Sequence, residues 1–290
     1  MSDNNTLKRV TGLLVIEVRN SNPNGDPDNE GEPRQLQKGR LRGHGIISGV
    51  SFKRKLRDLV EAKEGPVWDF LSKELSINDR PDEFLILESR DRVRKKIMEL
   101  SREEFQKSYW DARVFGTTFL EKASKDKDHF IRTGVTQFPN ATSVAPVVIE
   151  RMTNTNKAGV EDGKDRGMAP LADRVVQHGV YCMPFLINPT AAKRSGCKSE
   201  DIELLRRLIP YAYPHTASRA RSCVEIRHAW FVEHSSSLGS FSDFAILDAL
   251  TPRKREALNE ASCAWNEYDV PTGIGDLEQR GLVCIDLMVK

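Results

Sequence analysis

No stretch of this chain stays apolar for anything near the roughly 20 residues that a membrane-spanning helix needs. Its first residues, Met1 to Asn5, are polar and lack the apolar centre of a secretory signal. A cytoplasmic protein that meets no membrane is therefore expected. The five cysteines (Cys182, Cys197, Cys223, Cys263 and Cys284) are odd in number and form no Cys-x-x-Cys pair. Neither a zinc site nor a disulfide framework has support in that spacing, and reduced, buried thiols are expected instead. Also missing are Gly-x-Ser-x-Gly, the Walker phosphate loop and the dinucleotide fingerprint. The six histidines (His44, His129, His178, His215, His228 and His234) show no metal-ligand spacing. A hydrolase, a dehydrogenase or a metalloenzyme has no motif behind it, and no cofactor is expected. Aromatic residues make up 7% of the chain, few for a general single-strand RNA binder that stacks bases on exposed rings.

What is present is charge sorted by sign. The formal net charge is only +2, so the whole chain does not announce a polyanionic partner. From Glu17 to Glu32, however, five acids (Glu17, Asp26, Asp28, Glu30 and Glu32) stand against Arg19 alone. From Pro33 to Arg57 there are eight bases (Arg34, Lys38, Arg40, Arg42, Lys53, Arg54, Lys55 and Arg57) and no acid. Such segregation focuses a positive field locally, as a surface that meets nucleic acid requires.

Periodicity places these segments on elements. Leu13 to Val18 reads as a buried strand, ended by the turn-forming Asn22-Pro23-Asn24-Gly25-Asp26-Pro27-Asp28. Gly43, Gly45 and Gly49 suggest a mobile or closely approached loop. A helix then starts near Ser48 to Ser51, with Phe52, Leu56, Leu59 and Val60 inward and Lys53, Arg54 and Arg57 on its exposed side. Residues 61–129 read as mainly helical and charged. Ser101-x-x-Glu104 is a capping box there, and Arg90 to Lys96 is a solvated basic face. Residues 130–153 and Leu171 to Ile187 are strand-like around a polar excursion, Asn154 to Pro170, which suggests an extended hairpin arm. Ser199 is expected to cap a helix, Cys223 to Glu233 to form a strand, Thr251-Pro252 to start a helix, and Leu282 to Val289 to close the chain as a strand. The order predicts an α+β fold with long insertions in a small core.

Lys and Arg on one helix face contribute salt-dependent, largely sequence-independent affinity for phosphates, and hydroxyls and N–H donors at the helix start suit anions. Binding through this helix is the stronger chemical signal. The acidic loop could hold a hard cation, but Asn, Asp, Gly and Pro build turns without one, and a structural or RNA-positioning loop is the expectation. His44, among glycines in the basic stretch, is a candidate for touching phosphate.

The residues then resemble a family. The strand followed by Asn22-Pro23-Asn24-Gly25-Asp26-Pro27-Asp28, then Pro33-Arg34 and Ser51-Phe52-Lys53-Arg54-Lys55-Leu56-Arg57, is similar to the backbone subunit of type I CRISPR surveillance complexes (Cascade), in the subtype I-C/I-B-like branch of the RAMP superfamily. Asp111-x-Arg113-x-Phe115-Gly116, Gly134-Val135-x-Gln137, Ser143-Val144-x-Pro146-Val147 and Arg151-Met152 follow in the matching order, and the similarity runs to about Leu238-Gly239. Departures lie at Ser48-Gly49, at Ala172-Asp173-Arg174 and over Tyr211 to Ser222. The resemblance implies a modified RNA-recognition-motif (ferredoxin-like) palm made by residues 1–60 and 130–290. A helical fingers insertion at 61–129 and a β-hairpin thumb at 152–172 would extend from it. It also implies a non-catalytic subunit that stacks in several copies along a crRNA guide, beside other Cascade subunits, and presents the guide for pairing with target DNA. By position, Arg34, Ser48, Ser51, Lys53, Arg54 and Arg57 would grip guide phosphates. Arg113 would act near the palm–fingers junction, Arg151 would also bind the RNA, and Met152 and Met168 would pack against splayed bases. The alternative, drawn from type III backbone subunits, is a metal-dependent endoribonuclease using Asp26 or Asp28.

Overall fold

The computed structural model describes residues 7–89, 93–117, 133–157 and 168–289. Met1 to Asn5, residues 90–92 of the basic cluster, His129 with the end of the expected helical insertion, and the tip of the expected hairpin arm lie outside them. The apolar run around Leu13 forms a longer strand than its periodicity suggests, Val10–Ser21 (β1). It is apolar without alternation because the sheet is covered on both faces. Leu14, Ile16 and Val18 enter one core with Phe52, Trp110, Leu204 and Phe185. Leu13 and Val15 enter a second with Trp230, Ile246, Leu250 and Tyr268.

The further strands of the main sheet are His44–Ile47 (β2), Ala141–Pro146 (β3), Ile149–Lys157 (β4), Met168–Ile187 (β5), Val224–Glu233 (β6) and Val283–Asp286 (β7). Their order is β7-β6-β1-β5-β3-β2, with β4 and a short strand at Thr136–Gln137 also pairing with β5. Along its length β5 pairs with β1, β3, β4 and the short strand Thr136–Gln137. Its C-terminal part runs antiparallel to β1, from Val176 opposite Ser21 to Ile187 opposite Val10. Its N-terminal part pairs with β4, from Ile149 opposite Val176 to Lys157 opposite Met168. The β4–β5 hairpin therefore leaves the sheet as an arm rooted at Val176, as the two strand-like runs lead one to expect.

Among the described residues the α-helices longer than one turn are Gly49–Glu61 (α1), Pro66–Glu74 (α2), Arg94–Glu99 (α3), Arg102–Ser108 (α4), Trp110–Phe115 (α5), Ser199–Leu208 (α6) and Asp243–Leu250 (α7). The architecture is α+β. Helices α1, α2, α5 and α6 pack on the first face of the sheet, and α7 with the chain beyond it covers the second. The segment 87–112 adds a small core of its own, Leu87, Ile97, Phe105 and Ala112. The capping box at α4 forms as read, with the Ser101 hydroxyl accepting from Glu104 N at 3.2 Å and the Glu104 carboxylate accepting from Ser101 N at 2.8 Å.

Four expectations need correction. The glycine-rich stretch is not a loop but contains β2. Gly45 sits in that strand because a Cβ there would lie 2.3 Å from the Tyr181 hydroxyl, a close approach that only glycine permits. Thr251-Pro252 ends a helix rather than starting one. The residue before a proline is driven out of the helical region, and Thr251 is extended (φ −77°, ψ 121°), while the Ser242 hydroxyl caps the other end of α7. Ser199 is the first residue of α6 rather than its cap, which is Lys198. The cysteines are free thiols, but Cys223 and Cys263 are exposed and only Cys197 is fully buried.

Candidate nucleic-acid interface

The start of α1 is held by side chains from two loops. The Ser48 hydroxyl caps the helix by accepting from Ser51 N at 3.2 Å. Ser48 N donates to Asn24 Oδ1 at 2.7 Å, and Gly49 N donates to Asn140 Oδ1 at 3.4 Å. Gly49 has no room for a side chain, since a Cβ would fall 1.8 Å from the Phe138 carbonyl oxygen. The acidic loop is thus bolted to the helix by Asn24. It is also self-supporting: Asn22 Nδ2 donates to Gly31 O at 2.6 Å, Asp26 Oδ1 accepts from Asp28 N at 3.3 Å, and Asp26 pairs with Arg34 at 3.1 Å. These are turn and capping contacts, the work expected of Asn and Asp in such a loop.

The cations of α1 are mostly turned to internal use. Arg57, expected on the exposed side, is 8% exposed, and its Nε donates to Asp111 Oδ2 at 2.8 Å. A guanidinium loses much of its hydration when buried, so it needs that fixed carboxylate. Arg54 pairs with Asp58 and Glu61 and donates to the Glu88 carbonyl. Lys53 is half-buried, with its Nζ 5.5 Å from the centre of the Phe115 ring, and burial together with Arg57 lowers its pKa. Lys55 donates to Thr216 Oγ1 at 2.9 Å and lies 4.9 Å from the centre of the Tyr213 ring. Burial, with Arg221 nearby, pushes its ammonium down to about 8.

Arg113, expected to act near the palm–fingers junction, is likewise buried. It makes a two-pronged pair with Asp201 (3.0 and 2.7 Å) and donates to the carbonyls of Glu83, Gln106 and Lys107. That saturates a guanidinium and ties α5 to α6. His44 is buried too, its Nδ1 donating to Ser143 O at 2.7 Å, and does not reach a phosphate surface. On the arm, Arg151 and Met152 are exposed, opposite Arg174 and Asp173 in the register. Met168 opens β5, and its side chain lies outside the described residues.

The segment 213–222, which the sequence marks only as part of a departure from the family pattern, joins α1 to the root of the arm. Thr216 and Tyr213 hold Lys55, while Arg219 makes a two-pronged pair with Asp173 of β5 at 2.6 and 2.8 Å. Arg174 pairs with Glu30 of the acidic loop. Between them opens a cleft of about 480 Å³ whose walls include Asn22, Glu30, Asp173, Arg174, Ser218 and Arg221. The only signal was Arg219-Ala-Arg221 within a small-residue stretch. The arrangement can present cations and backbone donors to a strand of phosphates. Among the described residues no group of three or more His, Cys, Asp or Glu is gathered as a metal site would need.

A model of the family described as CRISPR-associated protein Cas7 matches residues 8–273. A CRISPR-associated protein Cas7 from Haloferax volcanii is 27% identical over 237 residues, which is 74% of this chain and 67% of the relative. A chain of a solved CRISPR RNA-guided surveillance complex is similar with a TM-score of 0.46 at 16% identity, over 77% of this chain and 68% of that one. A chain of a second such complex, in a pre-nicking state, gives a TM-score of 0.48 at 14% identity, over 77% and 78%.

Proposed function

The chain belongs to the CRISPR-associated protein Cas7 family, and from that premise we propose that it is the non-catalytic backbone subunit of a type I surveillance complex in the subtype I-C/I-B-like branch. Several copies stack head-to-tail along a crRNA guide, beside other Cascade subunits in the cytoplasm, and leave the guide free to pair with target DNA. Among the described residues no helix is long and apolar enough to cross a membrane.

The observation that carries this reading is the run of side chains from Lys55 on α1, through Thr216, Arg219 and Arg221, to Arg174 at the root of the hairpin arm. It joins the basic helix to the arm along one path, as a strand gripped by one and straddled by the other requires. Residues 1–60 and 130–290 supply a palm of the modified RNA-recognition-motif type. The strand order β6-β1-β5-β3, with α1 after β1 and α6 between β5 and β6, supports that assignment. Residues 61–129 supply the fingers, and residues 152–172 supply the thumb. An ordinary RNA-recognition motif stacks bases on the open sheet face. Here Tyr268, Ile246 and Leu250 cover that second face, which favours recognition of the guide backbone instead.

Within this reading Ser51, Lys53 and Arg34 contact phosphates, Ser48 presents the helix start, and Arg151 and Met152 act with Met168 on the thumb. Arg54, Arg57 and Arg113 serve the site by holding α1 and α5 in place. Asp26 is engaged by Arg34 and by Asp28 N, which favours a structural loop over a nuclease centre. Sedimentation of the purified protein with RNAs of increasing length tests the proposal. The mass of the complex should rise by whole copies as the RNA lengthens, and one copy per RNA at every length would contradict it.

A further inference from the structure

Most cations of α1 are engaged inside the protein, but three of the eight bases in the same run are not. Lys38, Arg40 and Arg42 lie on an exposed loop, Gln37 to Arg42, between Leu36 and β2. Among the described residues no carboxylate comes within ion-pair distance of any of them, whereas neighbouring Arg34 is held by Asp26 at 3.1 Å. The loop is built rather than slack. Leu36 N donates to His44 O at 2.8 Å, Gly43 N to Leu36 O at 2.9 Å, His44 N to Leu41 O at 3.0 Å and Arg42 N to Gly39 O at 3.2 Å. Its two sharp bends need left-handed backbone, supplied by Gly39 (φ +81°) and Gly43 (φ +84°). The loop is also anchored beside the arm, because Val147 N donates to Gly43 O at 2.9 Å and Gln35 Nε2 donates to Val147 O at 2.9 Å. Leu41, 49% exposed, places an apolar side chain among the three charges.

We propose that the loop Gln37–Gly43 is a second phosphate-binding element, separate from α1, at which Lys38, Arg40 and Arg42 take the phosphodiester backbone of a nucleic-acid strand passing the root of the arm. A long flexible cation that is already ordered by a short hydrogen-bonded loop loses less freedom on binding than one on a slack tail. With no carboxylate among the described residues to displace, these three charges are directly available to release counterions. The strand is either the guide or the DNA that pairs with it; both offer the same backbone. This inference rests on the guide-binding reading above.

The test is the triple variant Lys38→Ala/Arg40→Ala/Arg42→Ala beside the unchanged protein, with affinity measured over a range of salt concentrations in two arms. One arm uses unstructured RNA, and the other uses a complementary DNA strand added to RNA-loaded protein. The dependence of log affinity on log salt should weaken by about 2 in one arm, from three contacts at about 0.7 each on a single strand, with the thermal midpoint unchanged. Weakening in the RNA arm assigns the loop to the guide, and weakening in the DNA arm alone assigns it to the target. If the unchanged protein binds RNA and the variant keeps both dependences, the loop proposal alone is overturned. If the unchanged protein binds no RNA, the guide-binding reading fails and the loop proposal falls with it.

Discussion

Arg57 Nε sits 2.8 Å from Asp111 Oδ2 across 54 residues of sequence, and the Asp111 side chain is completely buried. The same carboxylate accepts from Leu87 N at 2.7 Å and from Glu88 N at 3.2 Å. One acid therefore fixes the middle of α1, the start of α5 and the chain at 87–88 together. Breaking such a pair from one side strands a buried charge and costs about 3–5 kcal/mol. Asp111→Ala should lose stability of that order in denaturant unfolding. The double variant Arg57→Met/Asp111→Leu should lose less than the sum of the single changes. Simple additivity would mean that the two groups do not act as a pair.

Arg113 predicts a different failure. Its planar fork meets both oxygens of Asp201 and three carbonyls, a geometry that an ammonium cannot copy. Arg113→Lys keeps the charge but should cost about 2 kcal/mol, the scale of a lost charge-assisted hydrogen bond. A melting midpoint within a degree of the unchanged protein would refute this.

Among the described residues, Lys53 is the α1 cation with no carboxylate partner and with surface in reach of solvent. Lys53→Ala should weaken RNA binding with little regard to sequence and lower its salt dependence by about 0.7, one phosphate contact on a single strand. Its stability should change by only about 0.5 kcal/mol, the scale of an exposed cation–aromatic contact. Filter binding at several salt concentrations decides the first point, and unchanged binding at all of them would remove Lys53 from the site.

Lys55 gives a pH signature. Burial brings its folded pKa to about 8, below the value of 10.5 for a free lysine. Between those values the unfolded chain holds a proton that the folded chain lacks, so this residue makes the unfolding free energy rise with pH across that window. Below about pH 8 both states are protonated and the contribution is flat. Denaturant midpoints of the unchanged protein and of Lys55→Met, measured from pH 7 to pH 10, should show the unchanged protein gaining on the variant as pH rises. A constant gap would mean that the ammonium is not desolvated as the contacts imply.

Local patterns in the sequence were legible where the chemistry is local. Ser48 and Ser101 announce their caps because the partner donor is three residues away. The arm is legible from two strand-like runs around a polar stretch. Gly45 misled because a glycine forced by the Tyr181 ring reads like one that serves a loop. Thr251-Pro252 misled because a proline can follow a helix end as readily as open a helix, and the cap of α7 lies upstream at Ser242. The exposed face of α1 is misread because nothing nearby reveals that Arg57 finds Asp111, and the burial of Arg113 on α5 is equally hidden because its partner Asp201 lies 88 residues on. Charge counts identify a basic region. Only long-range packing decides which of its cations are paired, and among the described residues Lys38, Arg40 and Arg42 in the loop before β2 have no carboxylate partner.

The central claim is that copies of this protein line a guide RNA without cutting it. Nuclease protection of RNA bound to the purified protein, with magnesium and with chelator, tests that most directly. The account predicts a protected length that grows in constant steps as protein is added and that is the same in both conditions. Regular cuts that need magnesium and vanish in Asp26→Ala or Asp28→Ala would contradict it and establish the nuclease reading, and a protected length that does not grow would contradict the stacking.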